Sequence, residues 1–482
     1  MAYKLMIQGT MSSAGKSFIV TGLCRLFSDL GYKVAPFKSQ NMALNSGVTF
    51  DGYEMGRAQI VQAEAARTTP DVRMNPVLLK PNSDIGSQVI VMGKPVGNMS
   101  AKEYYDYKVS LVPVIKDAFN SLEKEYDVII VEGAGSPAEI NLKANDIVNM
   151  GLAKMLDIPV LLVGDIDLGG VFAQLLGTLE WLDDYEKDYV KGLIINKFRG
   201  DVTLLKPGIE MLTNRTKKDV IGVVPYCKAR IDEEDSVTVN LIKDTDCLNE
   251  YEKKIYIVRL PYMSNFTDFN PLKLIEGVCV KYINKVPDKD ETQPDLIIIP
   301  GSKSTISDLD WLKDKGLDKY IISIADEVPV IGICGGNQIL GNCISDPNLI
   351  EGKEYGEGLK LINQDTVIYP EKTLREVEGV FKIEEGFFAC LNDTHYRGYE
   401  IHSGVTRDVV TNGNVFGTYI HGIFDSSDVT RGLMTGLGLR KEYVEQIIDY
   451  SQKKDEDYDL AAATIKESVD IKKLFEIMGM KL

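Results

Sequence analysis

Through the first 225 residues, short runs that are apolar almost throughout alternate with longer stretches of helical periodicity. The runs are LMIQG at 5–9, KVAPF at 33–37, SQVIVMG at 87–93, DVIIVEG at 127–133, PVLLVGD at 159–165, GLIINK at 192–197 and VIGVVP at 220–225. Strands that are apolar on both faces belong to a parallel sheet covered by helices, so this region predicts an α/β unit. Between 228 and 253 the periodicity lapses and the chain turns acidic, with four consecutive carboxylates at 232–235, which predicts a connector. A second alternating region follows, with KIYIVRLP at 254–261, DLIIIPG at 295–301, PVIGIC at 329–334, GYEIHSG at 398–404 and NVFGTYIHG at 414–422. The expected division is therefore 1–227, a connector 228–253, a second α/β unit 254–450, and a helical segment 451–482 that packs on the second unit.

Composition changes this picture little. A chain of 482 residues exceeds one ordinary core, and 44% hydrophobic with 26% charged residues is close to the globular average. A net charge of -17 opposes non-specific binding to nucleic acid or anionic lipid. No apolar run approaches the roughly 20 residues of a membrane helix, and strand-forming sequence follows directly on Met1, so a cytoplasmic protein without a signal peptide is expected. Seven cysteines with no Cys-x-x-Cys pair argue against a zinc site or a disulfide framework.

Two constellations carry chemistry. GTMSSAGKS, 9–17, is a glycine-rich turn between a buried strand and a helix, a form that aims backbone N–H groups and the positive helix end at phosphate. Its glycines are separated by five residues, where the usual loop has four. Gly9, Thr10, Ser12, Gly15, Lys16 and Ser17 are the ATP-binding candidates, with Lys16 reaching the terminal phosphates and Ser17 placed to bind Mg²⁺. Glu132, at the end of a neighbouring strand, would complete the metal shell, and Asp165 and Asp167 are similarly placed. Lys38 emerges on the same carboxyl edge, where open α/β sheets bind ligands. Asn196 offers an amide to an adenine edge.

The second constellation is GICGG, 332–336, between a β-rich run and the helical NQILGN, the form of a nucleophile elbow with cysteine as nucleophile. A thiol needs a base, and the chain has three histidines. His421, at a strand end beside glycine, is the expected base. His402 is a weaker candidate for positioning substrate, and His395 is expected at the surface. The N–H of Gly335 and the turn at Gly301 and Ser302 are the oxyanion candidates. Thiol, histidine and two amides describe thioester formation from an amide, as in hydrolysis of glutamine. Cys343 lacks the elbow glycines and reads as a packed thiol.

Taken together and in order, GTMSSAGKS, KSQNMALNS, EMGRAQ, MNPVLLKP, SQVIVMGK, VEGAGSPAEINL, INKFRGD, GICGGNQILG, YEIHSG and TYIHGIFD resemble the cobyric acid synthase family from residue 2 to about 438. The resemblance implies a dethiobiotin synthetase-like P-loop unit followed by a class I glutaminase-like unit. It also implies ATP, Mg²⁺ and glutamine as the nitrogen donor, and a small-molecule corrinoid as substrate, amidated on its b, d, e and g carboxylates. By the same resemblance Lys38 approaches the transferred phosphate, and Glu54 is a metal or substrate residue with Asp51 as the alternative to it. Many class I glutaminases carry Glu two places after the catalytic His, where this chain has Ile423, so a Cys–His dyad with an orienting group from elsewhere is expected. Cobyrinic acid a,c-diamide synthase, and a regulatory ATPase of the partitioning type, are the alternative readings.

Overall fold

A computed structural model describes residues 2–83, 86–232, 251–288 and 290–481. The acidic residues 233–235 lie outside them. The first unit is built on a six-stranded parallel sheet in the order Val220–Pro225, Val190–Phe198, Val160–Asp165, Tyr3–Gly9, Val128–Glu132, Val34–Phe37. The inner strands Val128–Glu132 and Val160–Asp165 are buried along their whole length, which is why their sequences do not alternate. The run at 87–93 does not join this sheet. It forms Gly86–Val91 of a separate four-stranded sheet with Gln40–Met42, Val77–Ser83 and Lys94–Ser100, in antiparallel pairs on both sides. A short apolar run specifies a strand, whereas the tight turn at Met92 and Gly93, both with positive φ, specifies the hairpin.

The second unit repeats the architecture. Its sheet runs Val278–Ile283, Lys253–Val258, Leu296–Ile299, Val330–Ile333, Val415–Thr418, parallel throughout, with Val409–Asn412 added antiparallel at the edge. The GYEIHSG run falls in the long strand His395–Val405, which pairs with Asp365–Val380 in a second sheet beside it.

The C-terminal segment corrects the expectation that it covers the second unit. The helix Tyr450–Ser468 packs instead on the first, against the helix Lys16–Asp29 that follows the glycine-rich loop. Tyr458, Ala462 and Ile465, with Leu474 and Phe475 of the last helix, join one buried cluster with Leu5, Ile7, Val20 and Phe27. Two features select this partner. A Cβ on Gly22 would stand 2.8 Å from Ile465 and 3.0 Å from the Ala461 carbonyl, so only glycine admits so close a crossing. Arg25 is 1% exposed, and a buried guanidinium requires counter-charges; Asp455 and Asp459 of the C-terminal helix supply them.

Among the described residues, Cys24, Cys227, Cys334, Cys343 and Cys390 are free thiols, while Cys279 is disulfide-bonded. No helix of the described residues is long and apolar enough to cross a membrane.

Candidate active sites

The carboxyl edge of the first sheet gathers the first site. Gly15 adopts φ 91° and caps the helix that begins at Lys16, a left-handed conformation open to glycine, so the loop closes directly onto the helix end. The Lys16 ammonium donates to the carbonyls of Met11 (3.0 Å), Ser12 (3.2 Å) and Gly135 (3.1 Å), spanning the loop and the turn after Glu132. Ser17 Oγ donates to Glu132 Oε1 at 3.0 Å, and Lys38 Nζ reaches the same oxygen at 3.1 Å. Gln62 donates to the other carboxylate oxygen. Burial acts to raise the Glu132 pKa, but the charges of Lys38 and Lys16 and the hydrogen bonds from Lys38 and Gln62 outweigh it. The carboxyl is held below its ordinary range and stays ionised. Loop lysine, loop serine, strand-end carboxylate and Lys38 therefore meet, as their strand-end positions predict.

Asn196 lies under the loop, with its side-chain amide committed to the Ala14 carbonyl at 3.0 Å. Asp165 is paired with Lys197 (2.7 Å), whose ammonium also holds the Ser13 carbonyl (2.8 Å), so both residues brace the loop from below. Asp167 pairs with Arg199 at the surface.

Glu54 departs from expectation. Its carboxylate is clasped by Lys80 (2.8 Å) on one oxygen and by Lys372 of the second unit (2.9 Å) on the other, and Ser46 Oγ donates to it at 3.0 Å. Burial would raise its pKa, yet the two ammonium groups drive it far below the usual range. The two ammonium groups leave this cluster with a net positive charge, which opposes a further cation there, and through it Glu54 ties the two units together. Asp51 is exposed in the adjoining turn.

The second site forms where Val330–Ile333 meets a short helix. Cys334 sits at φ 52°, ψ -107°, a strained conformation for a side chain with a Cβ, and this turn lifts the thiol out of the sheet. The elbow is close-packed: a Cβ on Gly336 would fall 2.0 Å from the Ile299 carbonyl. The turn after Leu296–Ile299 brings Ser302 N to within 2.8 Å of where a Gly335 Cβ would lie. Gly335, as the first helical residue, has its N–H outside the intrahelical ladder. Ser302 Oγ donates to Asp308 (2.6 Å), which fixes the turn. Gly301 packs against the His421 ring.

His421 is 1% exposed and lines the same cavity as Cys334, whose thiol donates to the Ile401 carbonyl at 3.5 Å; the His421 ring pairs with Asp268, Nδ1 to Oδ2 at 2.7 Å. Asp268 also accepts from Gly422 N at 3.2 Å. Burial would lower the His421 pKa; the Asp268 charge and hydrogen bond, with those of Cys334, push it up to about 10. The site is thus a Cys–His–Asp triad whose acid comes from the turn Phe266–Phe269, a residue that sequence reading missed. The departure at Ile423 signalled that the acid lies elsewhere. The local sign of it is an aspartate in a short turn that begins and ends with the buried Phe266 and Phe269. His402 stacks on Tyr419 at 3.7 Å and lines the cavity at Cys334, while His395 is exposed. Tyr399, which stacks on His421, donates to the Ser46 carbonyl of the first unit at 3.3 Å.

A phosphate-type loop with a strand-end carboxylate, joined through an ion cluster to a cysteine triad, defines a glutamine-hydrolysing carbon–nitrogen ligase that draws on ATP. The comparisons with known proteins agree. The CobQ/CobB/MinD/ParA nucleotide binding domain family matches residues 5–239, and the CobB/CobQ-like glutamine amidotransferase domain family matches 254–429. Curated proteins named cobyric acid synthase are 48% identical in Lachnoclostridium phytofermentans (99% of this chain, 99% of the relative) and in Ruminiclostridium cellulolyticum (99% and 97%). One from Caldanaerobacter subterraneus is also 48% identical, with 99% of each chain covered. The chain belongs to the cobyric acid synthase family.

Proposed function

We propose that this chain amidates the b, d, e and g side-chain carboxylates of adenosylcobyrinic acid a,c-diamide, giving adenosylcobyric acid, with ATP as activator and glutamine as nitrogen source. The observation that carries the reading is the presence, in one chain related along its full length to cobyric acid synthases, of both half-sites joined by buried contacts.

At the second site the Cys334 sulfur attacks the carboxamide carbon of glutamine. The N–H groups of Gly335 and Ser302 take the oxyanion, and protonated His421, held by Asp268, gives its proton to departing ammonia. Water then cleaves the thioester to glutamate. At the first site a substrate carboxylate oxygen attacks the γ-phosphorus of ATP and ADP leaves. Lys16 and Lys38 supply positive charge to the transferred group, and the loop amides hold the phosphates. Ammonia attacks the acyl phosphate and phosphate leaves. The activation is needed because a bare carboxylate would have to expel oxide.

The donor set at the loop fits Mg²⁺: a hydroxyl and a carboxylate, both hard oxygens, with room in its coordination for phosphate and water. Ser17 and Glu132 would hold it, and there it would neutralise phosphate charge. No cluster of three acidic, histidine or cysteine ligands occurs among the described residues, and a phosphate-bound Mg²⁺ needs none.

The test is mass spectrometry of the corrinoid after incubation with ATP and glutamine. Four acids converted to amides are expected on the a,c-diamide. Conversion of two acids on cobyrinic acid, and none on the diamide, would assign the a,c-diamide reaction instead.

A further inference from the structure

The cavity at Cys334 is also lined by charged side chains that the triad does not use. Its walls carry three ammonium groups, from Lys80 of the first unit and Lys303 and Lys372 of the second, together with the Glu351 carboxylate. Lys80 and Lys372 are both committed to Glu54. Lys303 differs. Among the described residues its ammonium makes no hydrogen bond and no salt bridge, and the turn that carries it also carries the oxyanion amide of Ser302 one residue earlier. Glu351 accepts from the N–H and hydroxyl of Thr305 and still faces the same cavity.

We propose that Lys303 receives the α-carboxylate of glutamine and Glu351 its α-ammonium, so that these two side chains recognise the amino-acid end of the nitrogen donor while Cys334 and the oxyanion amides take its amide end. This assignment rests on the glutaminase reading of the Cys334 site. Glutamine presents one negative and one positive group at the far end of a two-methylene stem, and the cavity that holds the thiol is also lined by one cation without a salt bridge and by one carboxylate. Electrostatics favours the same occupant. Burial, together with the charges of Lys372 and Lys80, lowers the Lys303 pKa to about 8, against the opposing pull of Glu351 and Glu54. Burial also raises Glu351 to about 7, against the pull of Lys303 and the backbone N–H groups of Thr305 and Ile306. Each group lacks a full counter-charge, and a zwitterion offers one to both. The pairing would also exclude ordinary protein asparagine and glutamine side chains, whose α-groups are locked in peptide bonds.

The test pairs variants with substrate analogues, using the full-length protein with ATP and corrinoid present and ammonia release as readout. The amides are glutamine, 4-aminobutanamide, which lacks the carboxylate, and the monoamide of glutarate, which lacks the ammonium. Lys303→Met is expected to lower kcat/KM for glutamine by about 10- to 100-fold, as for loss of one charge-assisted contact, chiefly through KM. It should leave the already poor kcat/KM for 4-aminobutanamide nearly unchanged, and Lys303→Arg should recover part of the glutamine activity. Glu351→Gln should behave likewise, with the glutarate monoamide as the insensitive substrate. An equal loss on glutamine and on the truncated amide would make the residue merely structural and overturn the assignment, as would an unchanged KM. Failure of the unsubstituted protein to release ammonia from glutamine would remove the glutaminase reading itself, and this assignment with it.

Discussion

Asp268 bears on His421 through a single short hydrogen bond, and the consequence for pH has a definite sign. The folded pKa of His421 is raised to about 10, above the roughly 6.5 of a free imidazole. Its contribution to stability is therefore fully present below about 6.5 and is lost as pH rises through about 10. Asp268→Asn should reduce the stability of the chain most on the acid side of that window, with the difference from the unsubstituted protein shrinking towards pH 10 in denaturant titrations. The same change should lower glutaminase turnover by about 10²- to 10⁴-fold, because the ring loses the group that fixes its tautomer and supports its charge. An Asp268→Asn protein with ordinary turnover would remove Asp268 from the triad. At the first site, Lys16→Ala should reduce amidation by about 10²-fold or more with either glutamine or ammonium, since it withdraws a donor aimed at phosphate. Assays of amide formation with each nitrogen source check this.

At the scale of elements, what could be read from the sequence was what is local. Each nucleotide or nucleophile turn is specified by a few adjacent residues: Gly15 by its left-handed φ, Cys334 by the small residues that let a strained elbow form. Glu132 and Lys38 were legible because strand ends in a parallel sheet share an edge. Asp268 was not, because it comes from a loop far from His421 in sequence and no spacing rule connects them. Nor was the direction in which the C-terminal helix folds back, since an amphipathic helix states that it covers something without stating what. Its partner is decided by Gly22 and Arg25, which have meaning only once the helices cross. Gly22→Val should therefore overpack this crossing and destabilise the chain by about 1–3 kcal/mol, read as a lowered Tm. A neutral effect would show that the two helices do not need so close an approach.

Across the whole molecule, the two α/β units are coupled by buried polar contacts at the active sites themselves. Glu54 holds a lysine from each unit, and Tyr399 stacks on His421 while it donates to the Ser46 carbonyl. Removing one partner of a buried ion group costs about 3–5 kcal/mol, so Lys372→Met should loosen the docking and lower the Tm. Glu54 has a depressed folded pKa, so its contribution is present above the ordinary carboxylate pKa and lost as pH falls through its folded value. The stability difference between Lys372→Met and the parent should persist at neutral pH and narrow only in strong acid. Such coupling would let nitrogen freed at Cys334 be consumed at the phosphate site of the same chain. The direct measurement is amide formation on the corrinoid by Cys334→Ala, assayed with glutamine and, separately, with a high concentration of ammonium. Glutamine-driven amidation is expected to fall by about 10⁴-fold or more while ammonium-driven amidation continues. Loss of both, or retention of the glutamine-driven reaction, would contradict it.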